Sequence, residues 1–141
     1  MTSRREARRI AIDIIYQADI TATDPTAVWE AWRDAGRPIP PFTGELVAGV
    51  EERLPEVDLL LAEHTEGWTV ERMAVLDRTI LRVAVFELLH RADVPPSVAI
   101  SEAVQAASDL STEGSSRFVN GILGRIASLI RPASADDPAT P

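Results

Sequence analysis

The chain has 141 residues, 45% of them hydrophobic and 26% charged, which is the size and make-up of one globular domain. Its 14 basic residues are all arginine; 22 acidic residues bring the net charge to −8, and the absence of cysteine excludes a disulfide framework, a thiolate metal site and a cysteine nucleophile. The longest apolar runs are about five residues against the roughly 20 needed to cross a bilayer, and the N-terminus lacks the apolar stretch of a secretory signal, so the expected compartment is the cytoplasm.

Strand signals are sparse, and helical periodicity dominates. Residues 1–10 set Arg4, Arg5, Arg8 and Arg9 against Glu6, a local charge of +3 on a remainder of −11. That split marks either a localised anion site or a solvated arm. The first helix is predicted from about Ser3 to Ile20, with Thr2 or Ser3 as N-cap. At about 100° per residue, Ala7, Ile10, Ala11, Ile14, Ile15 and Ala18 share one broad arc. Arg5, Arg8, Arg9 and Tyr16 share another, which puts the arginines and one aromatic ring on the solvent face.

A second helix starts at Asp24-Pro25, where Asp caps and Pro fits the first helical position. Val28, Trp29 and Trp32 form its apolar side and Gly36 ends it. Residues 37–41 form a stiff connector. A third helix covers about Thr43 to His64, and Pro55 kinks or divides it near Arg53. After a break at Gly67-Trp68, Thr69 caps a central helix over residues 70–91 that is apolar on nearly every side. Asp93-Val94-Pro95-Pro96 makes a turn, and two more helices cover about Ser97 to Leu110 and Ser115 to Ile130. Residues 132–141 are small, Pro-containing and acidic, and read as a disordered tail. The expected fold is therefore all-α with six to seven helices: one domain over 1–131, with subdomains of about 1–66 and 67–131.

Catalytic signatures are missing. His64 and His90 fall on separate helices with no serine or carboxylate at a motif spacing, and no Gly-rich phosphate loop is present. Glu51-Glu52 reads as a solvated pair, and Trp29, Trp32 and Trp68 as core or helix-interface residues. Gly121 and Gly124 inside a helix suggest close approach of a neighbouring helix. Guanidinium groups match phosphate oxygens; Arg5 and Arg9, like Arg4 and Arg8, stack along one helix, and Tyr16 adds a ring for an unpaired base. The competing reading pairs Arg8 and Arg9 with Glu6, Asp13 or the acidic third helix. Ser115 and Ser116 at a helix start, beside Arg117, suit capping and an anion contact.

The run from Leu76 to Leu89 (LDRTILRVAVFELL) resembles the NusB family of bacterial transcription antitermination factors. The likeness continues through Asp93-Val94-Pro95, Ile100-Ser101-Glu102-Ala103-Val104 and Phe118-Val119-Asn120-Gly121-Ile122-Leu123. Towards the N-terminus it takes in Arg4-Arg5-Glu6-Ala7-Arg8-Arg9 and Tyr16. The resemblance covers about residues 4–130 and implies two packed helical bundles. It also implies binding to the boxA element of nascent ribosomal RNA transcripts together with NusE, a small-subunit ribosomal protein, within the transcription elongation complex. By position it assigns RNA contacts to Arg4, Arg5, Arg8, Arg9, Tyr16, Ser115, Arg117 and Phe118. Asp77 falls at the shared RNA and NusE surface. No cofactor or metal is implied. Gly114 stands where some members carry an acidic residue. A helical adaptor that binds only protein and a homodimer that covers the RNA face are the alternatives. A NusB-like domain fused to an RNA methyltransferase would need a cofactor domain, for which the residues after 131 are too few.

Overall fold

The computed structural model describes residues 3–65 and 69–130. Among them are seven α-helices and a 3-10 turn, with no strand: α1 (Arg4–Thr21), α2 (Pro25–Asp34), α3 (Pro41–Glu52), α4 (Leu54–Glu63), the turn Val70–Arg72, α5 (Val75–His90), α6 (Pro96–Leu110) and α7 (Ser115–Ile130). The expected tail, the boundary at 66–67 and Trp68 lie outside the described residues.

Local chemistry accounts for most of the boundaries. Ser3 caps α1, its Oγ accepting from the Glu6 N–H at 3.1 Å. Pro55 cannot donate to the helical ladder, and the long third helix divides at Arg53 into α3 and α4. Two expectations change. Asp24 flanks α2 without a side-chain cap; the Thr26 N–H instead donates to Glu51 Oε1 at 2.9 Å. Glu51 is thus half-buried and ties α3 to the start of α2, rather than forming a solvated pair with Glu52. The central helix starts at Val75, not at residue 70. Arg78 Nη1 donates to the Val70 and Glu71 carbonyls at 3.2 and 3.3 Å, and the Val70 carbonyl also accepts the Met73 N–H that closes the 3-10 turn.

Helix α5 is the centre of the molecule, packing against α1, α3, α4, α6 and α7. Ile80, Leu81, Val85 and Leu88 are all but fully buried, and one apolar cluster joins them to Ile14 and Ala11 of α1, Leu46 of α3 and Ile122 and Leu123 of α7. The close approach expected at Gly121 and Gly124 lies elsewhere. A Cβ at Gly124 would meet nothing within 4 Å, whereas one at Gly49 would fall 2.0 Å from the Phe86 ring. Helix α3 therefore crosses α5 at Gly49, and glycine is the residue that lets the ring in. Thr43 Oγ1 donates to the buried Ala7 carbonyl at 2.7 Å, which fixes α1 against α3.

Candidate nucleic-acid interface

The arginines of α1 divide by their environment. Arg8 is not on the solvent face: its side chain is 7% exposed and that of its partner Glu87 on α5 is 1% exposed. Arg8 Nε donates to both Glu87 oxygens at 2.9 and 3.0 Å, and Nη2 donates to Oε2 at 2.8 Å. A helical projection puts Arg8 at the margin of the polar arc; α5 packs over that margin and brings a carboxylate with it. The remaining three arginines keep solvent access and reach acids of α6 and the turn before it. Arg4 Nη2 pairs with Asp93 at 2.8 Å, Arg5 Nε with Glu102 at 3.0 Å, and Arg9 Nη2 with Asp109 at 2.9 Å. None of the acids first considered as partners (Glu6, Asp13, the third helix) is used in these pairs.

Asp93 is also held by Arg91, and the hydrogen bonds from Arg91 and then Arg4 lower its pKa to about 2. Arg9, followed by Gln105, holds the Asp109 carboxyl below its usual range. Phe42 of α3 gathers three guanidinium groups, Arg4 at 4.3 Å, Arg91 at 5.2 Å and Arg8 at 5.3 Å from its ring centre, an arrangement that cation–π attraction favours. Nothing in the sequence pattern singled out Phe42, because its partners come from α1 and from just beyond the end of α5. Between α1 and α6, Arg5, Glu6, Arg9, Ile10, Gln105 and Asp109 line an open groove. Tyr16 continues the exposed stripe of Arg5 and Arg9 and is 37% exposed.

The second group of expected residues splits as well. Ser115 is buried, and its Oγ lies 3.1 Å from both Asp77 Oδ2 and Ser111 Oγ. Ser111 Oγ in turn donates to Asp77 Oδ1 at 2.6 Å. Asp77 and Ser115, assigned separately to partner and RNA, are thus one buried network joining the first turns of α5 and α7. Arg117 is exposed and makes no ion pair among the described residues, and Phe118 is half-buried. Phe118, Asp77 and Ser115 line an open cleft with Arg72; Arg72 was not anticipated, since the 3-10 turn that carries it was read as helix. Arg117 lines a neighbouring groove with Ile100, Ser101 and Val104 of α6. Helix α6 therefore stands between the two patches, meeting the α1 arginines through Glu102 and Asp109 and the α7 patch along its other side.

An all-α fold with an arginine-bearing first helix laid against α5 and α6 defines the class. Residues 5–128 match the NusB family, and the chain belongs to that family of transcription antitermination proteins. Similar relatives include the transcription antitermination protein NusB of Symbiobacterium thermophilum, 45% identical over 97% of each chain. That of Saccharopolyspora erythraea is 46% identical over 92% of this chain and 89% of the relative. Among solved structures, T. maritima NusB superposes with a TM-score of 0.82 at 34% identity, covering 90% of this chain and 92% of its own. A chain from the crystal structure of the antitermination factors NusB and NusE with double-stranded RNA shares the fold at 22% identity and a TM-score of 0.78, covering 89% of this chain and 96% of its own.

Proposed function

We propose that this protein binds the boxA element of nascent ribosomal RNA together with the ribosomal protein NusE, and acts in the cytoplasm as a non-catalytic component of the elongation complex. The observation that carries this reading is the exposed stripe of Arg5, Arg9 and Tyr16 beside an open groove, with Arg117, exposed and in no ion pair among the described residues, on the other side of α6. A protein of this fold crystallised with NusE and RNA, and the same assembly is here extended to this chain. Arg4, Arg5 and Arg9 hold phosphates by exchanging Asp93, Glu102 and Asp109 for phosphate oxygens. Tyr16 and Phe118 offer rings to unpaired bases. Arg8, Asp77 and Ser115 act from beneath, fixing α1 against α5 and α5 against α7.

Three or four phosphate contacts predict weak binding by the protein alone and a log–log salt slope of about −2 to −3. The test is boxA affinity at several salt concentrations, with and without NusE, for wild type and the Arg5→Ala/Arg9→Ala variant. The expected result is at least a tenfold loss in the variant and a shallower slope; an unchanged affinity rejects the role of α1. The carboxylates already paired with these arginines favour one other reading, an adaptor that binds only protein. RNA that fails to bind wild type with or without NusE, while NusE binds normally, supports the adaptor.

A further inference from the structure

We infer that Arg37, stacked on Trp32 beyond the end of α2, is an additional base-stacking platform that extends the RNA track of α1 onto the α2–α3 connector. This goes beyond the reading above and rests on it, since it takes the same single-stranded RNA as occupant. Residues 20–45 are also where the family likeness says least, since they lie between its motifs.

The platform is built by the helix end itself. Gly36 has φ +82, a left-handed conformation that glycine adopts without Cβ strain. The Gly36 N–H donates to Arg33 O at 2.9 Å and the Arg37 N–H to Trp32 O at 3.1 Å. These are the two bonds of a Schellman motif, which brings the residue after the glycine back onto the last turn, where an apolar contact usually closes it. Here that position holds a guanidinium 3.3 Å from the centre of the Trp32 ring. An arginine in the place of an apolar residue keeps the contact and adds a charge, a second flat face and free N–H groups. Arg37 is exposed and makes no ion pair among the described residues.

Trp32 is in turn fixed to α1. Its Nε1 donates to Gln17 Oε1 at 3.1 Å. Gln17 lies on the same line of α1 as Arg9 and Asp13, at four-residue intervals, with Tyr16 adjacent. Asp13 shares this neighbourhood: desolvation raises its pKa, and the charges of Arg37 and then Arg9 oppose that. Arg5 to Gln17 is about 18 Å along the helix axis, the length of about five phosphates of a stacked strand at about 3.4 Å each. Arg37 is therefore joined through Trp32 and Gln17 to the C-terminal half of α1, and it is exposed, placed to take a base as arginine planes and aromatic rings serve single-stranded RNA elsewhere.

The test compares wild type, Arg37→Leu and Arg37→Lys. Leucine keeps the apolar closure of the motif without the charge; lysine keeps the charge without the flat face. Binding of single-stranded boxA RNA of about twelve nucleotides, and of a version cut to about four, is measured at fixed salt, spanning about the whole track or only part of it. The expected result is an about tenfold loss for leucine and a similar loss for lysine on the longer RNA, the size of one base stack, and less than twofold on the shorter. Wild-type affinity in Arg37→Leu overturns the platform. So does full retention by Arg37→Lys, which reduces Arg37 to a point charge. Loss in Arg5→Ala/Arg9→Ala with none in Arg37→Leu rejects this inference alone; no RNA binding by wild type, with or without NusE, rejects both it and the proposed function. Equal melting temperatures for the three proteins show that each change acts on binding.

Discussion

Arg5 and Arg8 sit three residues apart on one helix and do different work. The Arg5 side chain is 63% exposed where it pairs with the less exposed Glu102, while Arg8 meets Glu87 out of water. Removing one partner of a buried pair strands the other, so Arg8→Ala should lower unfolding free energy by about 3 kcal/mol in urea melts. Arg5→Ala should stay within about 0.5 kcal/mol. On the proposed reading Asp109 competes with RNA for Arg9, so Asp109→Asn should tighten boxA binding about two- to fivefold, the worth of one exposed pair. Glu63→Gln on α4, which removes the same charge elsewhere, should do less. Asp93 titrates near 2, held down first by Arg91 and then by Arg4. Its folded pKa lies below the ordinary value of 3.8, so its ion pairs contribute fully above about pH 4 and fade as pH falls towards about 2. An NMR titration should show Asp93 rising further in Arg91→Ala than in Arg4→Ala. A helical projection separates polar from apolar positions, but it cannot tell a polar residue facing water from one facing a buried carboxylate.

The helices themselves were largely legible, because their ends are written in local chemistry: Ser3 as cap, Pro25 at a first turn, Pro55 as a break, Gly36 as a stop. The exceptions came from contacts across elements. Glu51 of α3 serves the start of α2, and Arg78 donates to the Val70 and Glu71 carbonyls of the turn before α5. The glycines divide the same way. Gly124 has open space where a Cβ would go, so Gly124→Ala should raise stability by up to about 1 kcal/mol through helix propensity alone. Gly49→Ala would drive a methyl group into the Phe86 ring and should cost about 1–3 kcal/mol or more as α3 and α5 are forced apart. Paired thermal melts of the two variants should move in opposite directions. Both are glycines inside helices, and sequence alone does not say which one faces a ring.

At the scale of the molecule, a net charge of −8 repels RNA, and the fold answers this by grouping its arginines. Helix α6 carries the acids that neutralise the α1 stripe on one side and borders the groove that holds Arg117 on the other. If it binds RNA as proposed, a protein so arranged should gain affinity from a second protein on the same RNA. If NusE raises boxA affinity by some factor, boxA must raise NusE affinity by the same factor. Titrations run in both directions should return equal factors, and the Arg5→Ala/Arg9→Ala variant should lower RNA binding while leaving RNA-free NusE binding intact.

Periodicity and helix-end signals were enough for the all-α class and the order of the helices, and the resemblance of short motifs for the family, because each depends on residues close together in the chain. Which arginine is accessible was decided only when α5 and α6 came to rest against α1: Glu87 buried Arg8, while the arginines paired with Asp93, Glu102 and Asp109 kept solvent access. The same holds for Asp77 and Ser115, two residues of separate motifs that became one network where α5 and α7 begin. Charge is a property of the sequence, but its availability depends on the carboxylates that packing places within hydrogen-bond reach.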